Sequence, residues 1–247
     1  MRTAFSLDSR KVRLPWWGWL GLVAAVTGGG LFAHALASAR LHRIEVEGTH
    51  HASPVAIRHL ADVREGQRLL SADLSAVVTG VLRHPWVSSA RVSRVYPDAL
   101  RIEVQEHDPA ILLMHHGLFR VSEAGEIFGR ARSSDLDQPI LTGIHSDLID
   151  DNGQVARRII HDALEVLHAL DDASAVHRAQ LSEVHFDENL GFALLLRNGT
   201  RITLGYRSPA NQMARLDAMV DAGLDLFIPS EIDMDIDGMA VVTPLST

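Results

Sequence analysis

The sequence predicts an α+β protein behind a single N-terminal transmembrane helix: a small domain in the order β-α-α-β-β, then a mixed β domain with helices on one side. Three observations carry this reading. Residues 15–39 hold no Lys, Arg, Asp or Glu. Beyond them, short runs alternate apolar and polar residues at the strand period of about two, and other stretches repeat apolar residues at the helix period of about 3.6. Two of those helical stretches open on Ser-Pro, a helix-start signal. The boundaries that follow are a tail at 1–14, the transmembrane helix at 15–39, a first domain at 40–107 and a second at 108–247.

The uncharged stretch is 25 residues long. At about 1.5 Å per residue it spans the roughly 30 Å of a bilayer core with some tilt. Arg2, Arg10, Lys11 and Arg13 against Asp8 place a net +3 before it, and Trp16, Trp17 and Trp19 suit the adjoining interface. That asymmetry puts the N-terminus in the cytoplasm. A cleaved signal peptide is the rival, since Ala37-Ser38-Ala39 has the small-x-small form. Its apolar core is about 7–15 residues, so the longer run favours a retained anchor.

From Leu14 onward the chain carries 19 Lys and Arg against 30 Asp and Glu, which counts against a nucleic-acid partner. It has no cysteine, hence no disulfide framework or thiolate zinc site.

The first strand is "LHRIEVEG", with Ile44 and Val46 against Glu45 and Glu47 and an end at Gly48. "SPVAIRHLAD" starts a helix with Ser53 as N-cap and Pro54 at the first helical position. "SADLSAVVTGVLRH" starts another, with Ser71 as the expected cap and Leu74, Val77, Val78, Val81 and Leu82 on one face. Two strands follow, "WVSSARVSRVYP" and "DALRIEVQE", joined by turn chemistry at Tyr96-Pro97-Asp98. Arg91, Arg94 and Arg101 are expected on their solvated face.

In the second half, "GLFRVSEAGEIFGRA" reads as a strand pair turning near Gly125, and "QPILTGI" as a short strand. Residues 153–171 make an amphipathic helix with Ile159, Ala163, Val166, Leu167 and Leu170 inward. "LSEVHFD", "GFALLLR" and "TRITLG" form a meander around the Asn198-Gly199 hairpin signal, and Ser208-Pro209 opens a last helix.

The closing stretch "EIDMDIDGMAVVTP" contains D-x-D-x-D-G, the opening of a calcium loop. The twelfth position, which needs a bidentate Glu, is Pro244. At period two the stretch reads instead as a strand, with Ile232, Met234 and Ile236 on one face and Asp233, Asp235 and Asp237 on the other.

Catalytic signatures do not emerge. The sequence has no H-E-x-x-H, no G-x-S-x-G, no phosphate loop and no dinucleotide turn. Of the 14 histidines, His50-His51 and His115-His116 are neighbours expected to point apart on strands, and His161 and His168 are two turns apart on a helix. No metal, no cofactor and no enzymatic activity are therefore expected.

The runs "IEVEGTHHAS" and "RHPWVSSARVSRVYPDALRIEVQEHDPA", following one membrane helix, resemble the POTRA domain of the FtsQ/DivIB family of bacterial cell-division proteins. The second half resembles that family's β domain, so the likeness covers about residues 12–245. It implies a non-enzymatic divisome scaffold of the bacterial inner (plasma) membrane, with its C-terminal domains periplasmic and at the septum. It also implies that the final strands receive the FtsB subunit of an FtsB/FtsL pair and help control septal wall synthesis, while the POTRA domain and membrane helix serve other division proteins. Carried over residue by residue, the receiving edge strand is Ile236, Gly238, Met239, Ala240, Val241, Val242 and Thr243. Val241→Pro, which removes one donor and adds a ring at the edge, is expected to abolish partner capture while the domain still folds. The family commonly has Arg where Asp235 stands, so a contact built on that charge is lost or reversed here. A POTRA-containing export or outer-membrane assembly factor and a secreted calcium-binding protein are the alternatives.

Overall fold

The computed structural model describes residues 23–30, 34 and 38–245, apart from 152 and 237. Most of the transmembrane helix expected at 15–39 lies outside the described residues, although 23–30 are helical. Among the described residues no helix is long and apolar enough to cross a membrane. The chain divides into two units, Met1–Glu106 and His107–Thr247.

The first unit has the expected order β-α-α-β-β. Strands β1 (Arg43–Glu47), β2 (Val87–Val95) and β3 (Ala99–Glu106) form a sheet in the order β1-β3-β2. β1 runs parallel to β3, and β2 antiparallel to it. A parallel neighbour demands a crossover, and helices α1 (Pro54–Ala61) and α2 (Leu74–Val81) lie within it. Ile57, Val77, Val81, Leu100 and Ile102 make a buried core. The two helices touch at Gly80, where a Cβ would lie 2.2 Å from the Leu60 carbonyl oxygen.

Ser53 caps α1 as expected. The cap of α2 is Asp73 and not Ser71: the Asp73 carboxylate accepts from Ser75 N at 3.0 Å and Ala76 N at 3.1 Å. Ser71 instead closes a 3-10 turn by donating to Arg68 O at 2.8 Å. Two side chains expected on a solvated face are structural ties. Arg94 donates to the carbonyls of Leu69, Leu70 and Ala72, and Arg101 pairs with Glu45 and Glu47. Arg91 alone of the three is exposed.

The second unit is built on nine strands: β4 (Pro109–Met114), β5 (Leu118–Ser122), β6 (Ile127–Arg130), β7 (Ile140–Thr142), β8 (Leu181–Asp187), β9 (Gly191–Leu196), β10 (Arg201–Gly205), β11 (Ser230–Asp233) and β12 (Val241–Pro244). Their spatial order is β12-β11-β10-β9-β8-β7-β4-β5-β6. Helices α3 (Ser146–Asp151) and α4 (Gly153–Asp171) link the parallel neighbours β7 and β8; α5 (Pro209–Asp221) links β10 and β11. β4 shows no alternation because Ile111, Leu112 and Leu113 are all buried: Ile111 and Leu113 join the core under the helices, and Leu112 on the other face lies beside Arg120, itself buried and paired with Asp135.

The helices cover one face. Val121, Leu141, Val184, Leu194, Ile202 and Ile232 project from successive strands into a core shared with Ile159, Ala163, Leu167 and Leu170 of α4 and Met213 and Leu216 of α5. The opposite face presents Glu183, His185, Arg201, Thr203 and Asp233, all half-exposed.

Carboxylates pin the loops. Burial pushes the Glu106 carboxyl up, but the backbone N–H groups of Ala52, His51 and His50 and the His51 imidazole outweigh it, drawing it from 4.5 to about 2. Those donors lie 2.8 to 3.1 Å away, so the end of β3 holds the turn before α1. The His51 ring also stacks on Trp86, with centroids 4.1 Å apart. A depressed carboxyl contributes stability that is present above its ordinary range and is lost as pH falls from about 4.5 toward 2. Glu106→Gln is expected to cost the first unit about 2 kcal/mol at neutral pH. Hydrogen exchange of the β1–β3 amides checks it: wild type and variant differ at pH 7 and converge as the pH approaches that lower limit.

Candidate functional site

The segment Glu231–Pro244 is a hairpin and not the single strand expected. Ile232 and Met234 are fully buried, in keeping with the alternation, but Ile236 is exposed. The strand stops after Asp233, whose carboxylate accepts from Asp235 N at 3.0 Å, and the chain turns through Gly238 at a φ of 67°. It returns as β12, antiparallel to β11. Of the seven residues expected to receive a partner, Val241, Val242 and Thr243 lie in β12; Ile236, Gly238, Met239 and Ala240 belong to the connection before it.

β12 is the terminal strand of the sheet. Its register pairs Ser230 with Pro244, Glu231 with Thr243, Ile232 with Val242 and Asp233 with Val241. Leu245 N donates to Pro229 O at 2.9 Å. In an antiparallel ladder every second residue turns its N–H and C=O to the partner strand. Counting back from Leu245, Thr243 and Val241 face β11, whereas Val242 and Pro244 face outward. Pro244 therefore sits where its missing N–H breaks no ladder bond, as proline in an edge strand must. The outward groups of β12 are the Val242 N–H and C=O and the Pro244 C=O. Proline at 241 would break the bond to β11, so the residue that probes the open margin is Val242.

Apolar side chains surround this margin: Ile236, Met239, Val241, Val242 and Leu245 are all exposed, as are Phe227 and Ile228 just before β11. Val242 lies opposite the buried Ile232 and so projects to the helix side; Val241 and Thr243 lie beside Asp233 and Glu231 on the open side. The other margin of the sheet, β6, is less regular. Its pairing with β5 is interrupted by a register shift, and Gly129 within it has a φ of 62°.

Helix α5 fastens the hairpin. Gln212, buried among Met213 and Leu216, donates through Nε2 to Leu204 O at 2.7 Å and Met234 O at 3.0 Å. Arg215 donates through Nη1 to Gln212 Oε1 at 2.7 Å and Met234 O at 3.0 Å. Its Nη2 donates to Ile236 O at 3.3 Å and Met239 O at 3.0 Å. Sequence reasoning did not single out these two residues. Their signal was a polar pair three apart on the inward face of an otherwise apolar helix stripe.

Asp235, expected to stand where the resembled family commonly has Arg, is absorbed locally. Arg207 Nε donates to its backbone carbonyl at 3.0 Å and lies 3.7 Å from its carboxylate. The carboxylate rests on Gly205, where an added Cβ would meet Asp235 Oδ1 at 1.9 Å.

The remaining candidates are engaged locally. Among the described residues no group of three or more His, Asp and Glu is placed to hold a metal. His115 and His116 close the β4–β5 hairpin with rings 4.7 Å apart, not splayed along a strand. His168 pairs with Glu123 at 3.0 Å and His161 with Glu165 at 3.7 Å. A cavity of about 380 Å³ is walled by Val176, Leu196, Val220, Leu224 and Phe227. Of its polar lining residues, Arg197 and Asn198 donate to the carbonyls of Ala179, Asp137 and Leu226, while Gln180 and Asp225 accept from the backbone N–H groups of His177 and Phe227.

Gly205→Ala tests the fit at Asp235. A side chain at φ +73° costs about 1–3 kcal/mol, and the clash comes on top. In thermal melts Asp235→Gly is expected to restore the steric part of that loss and not the backbone part.

The POTRA domain, FtsQ-type, family matches residues 39–107, and the family described as cell division protein FtsQ/DivIB, C-terminal, matches residues 110–235. The chain is 34% identical over 185 residues to the cell division protein FtsQ of Anaeromyxobacter sp. (strain K), covering 74% of this chain and 63% of that protein. It thus spans less than two thirds of that relative. It is 31% identical over 201 residues to the FtsQ of Myxococcus fulvus, covering 80% and 70%, and 29% identical over 203 residues to that of Syntrophotalea carbinolica, covering 80% and 71%. With the FtsQ-type POTRA match in the first unit and the C-terminal family match across nearly all the second unit's strands, this chain belongs to the FtsQ/DivIB family of cell division proteins.

Proposed function

We propose that this protein is a non-enzymatic scaffold of the division machinery, held in the inner membrane by residues 15–39 with its tail at 1–14 cytoplasmic. Residues 40–107 act as the POTRA domain and 108–247 as the β domain on the periplasmic side. The β12 margin takes up a strand from an FtsB-like subunit of an FtsB/FtsL-type pair, and so couples the scaffold to septal wall synthesis. The observation that carries this is the regular, one-sided pairing of β12, which leaves the Val242 N–H and C=O outward beside exposed apolar side chains. Backbone pairing supplies attachment in such a complex, and neighbouring side-chain contacts supply choice. Glu231, Asp233 and Asp235 flank the margin and oppose edge-to-edge pairing of two copies, because the same acids would face each other. The exposed Val23 and Val26 on the helical stretch 23–30 suit a lipid-facing anchor.

Co-purification with the FtsB/FtsL-type proteins of the same organism tests the docking. Val242→Pro is expected to lower capture at least tenfold, about 1.4 kcal/mol or more. Val242→Ala, which keeps the donor, is expected to retain most of it. Undiminished capture by a folded Val242→Pro variant overturns the reading. Intact-mass measurement of the membrane-extracted protein tests the anchor: the N-terminal residues are expected to be retained, and a mature chain beginning at Arg40 would refute it.

A further inference from the structure

We infer that Gln212 and Arg215 are positioning residues that preset the β12 margin for its incoming strand; this rests on the docking reading above. The connection from Met234 to Ala240 is seven residues long. A tight two-residue turn fixes hairpin register by its own geometry, whereas a connection of this length does not. β12 itself has four residues, all exposed, so its burial does little to hold it in place. Register must come from elsewhere.

The α5 side chains supply it. The planar guanidinium of Arg215 reaches three carbonyls, Met234 O where β11 ends, Ile236 O at the start of the turn and Met239 O at its end. One rigid fork thereby sets the separation between the two arms of the connection. Gln212, 1% exposed, locks the fork from behind by accepting from Nη1 while donating to Leu204 O and Met234 O. Every bond that Arg215 makes to this connection ends on a backbone carbonyl, so the fastening is independent of the connection's side chains. Lysine cannot reproduce it, because a compact ammonium on a flexible stem lacks the fixed fork.

The consequence for binding is a population effect. If β12 occupies its paired register only about a tenth of the time, the apparent dissociation constant of a strand that needs that register rises about tenfold. The clamp thus removes an ordering cost that the complex would otherwise bear.

The test compares full-length wild type with Arg215→Met, which keeps the stem's packing and removes the donors, and with Arg215→Lys. Hydrogen exchange reads the clamp without any partner. In Arg215→Met the amides of Val241, Thr243 and Leu245 are expected to exchange at least tenfold faster, with β8–β10 unchanged; Arg215→Lys falls between. Binding of the extracytoplasmic part of the same organism's FtsB-like protein is expected to weaken about tenfold in Arg215→Met, and saturating partner restores the protection. Unchanged exchange at those three amides in Arg215→Met overturns the inference. Should β8–β10 also lose protection in that variant, Arg215→Lys decides: accelerated exchange confined to β12 upholds the clamp, and wild-type exchange there overturns it. Faster exchange with unaltered affinity overturns the presetting of the margin and leaves the docking reading to the Val242→Pro test; no binding by wild type removes the docking reading and leaves the mechanical clamp standing.

Discussion

A sheet that does not close must leave two rows of backbone N–H and C=O groups at its margins, and the organisation of the second unit answers to that constraint. Seven of its nine strands have neighbours on both sides. The two margins are treated differently. β6 is shifted in register against β5 and bent at Gly129, which makes it a poor template. β12 pairs with β11 without a register shift, with a proline only where the missing N–H faces outward. An edge kept regular at the end of a nine-stranded sheet, with apolar side chains exposed on both of its faces, is what the proposed docking of a strand requires.

Keeping that edge regular takes more than its own four residues. Strand pairing of such length is marginal without a buried face, and β12 has none. The hairpin is instead tied to helix α5, whose core-facing stripe includes Gln212 and Arg215 among apolar neighbours. Burying these polar groups is tolerable because each is hydrogen-bonded, Gln212 to the carbonyls of Leu204 and Met234 and Arg215 to those of Met234, Ile236 and Met239. The same helix carries the parallel crossover between β10 and β11, so one element sets both the position of β11 and the shape of the turn that follows.

Charged residues elsewhere serve the same end of satisfying loop backbone. Glu106 collects three N–H groups ahead of α1, Arg94 three carbonyls ahead of α2, and Asp217 the N–H groups of Ser174 and Ala175 after α4. The histidines join this pattern as partners of glutamates, at His51, His107, His161, His168 and His185. Among the described residues these pairs are scattered over helix α4, strand β8 and the loops.

What the sequence determined by itself was everything set by local period and local turn chemistry. The β-α-α-β-β order, the helix at 153–171, the Asn198-Gly199 hairpin and the burial of Ile232 and Met234 all follow from side chains choosing a face within one element. Tertiary structure decided what depends on partners distant in the chain. Asp73 displaced Ser71 as a cap, because a carboxylate nearer the apolar run reaches two amides at once. The alternation at 231–236 continued past the point where the strand ended, because a turn held by Arg215, some twenty residues earlier, overrode it. Whether Val241 or Val242 faces outward was not legible either: period two tells which side of a sheet a side chain takes, while the direction of its N–H is fixed only when the neighbouring strand arrives.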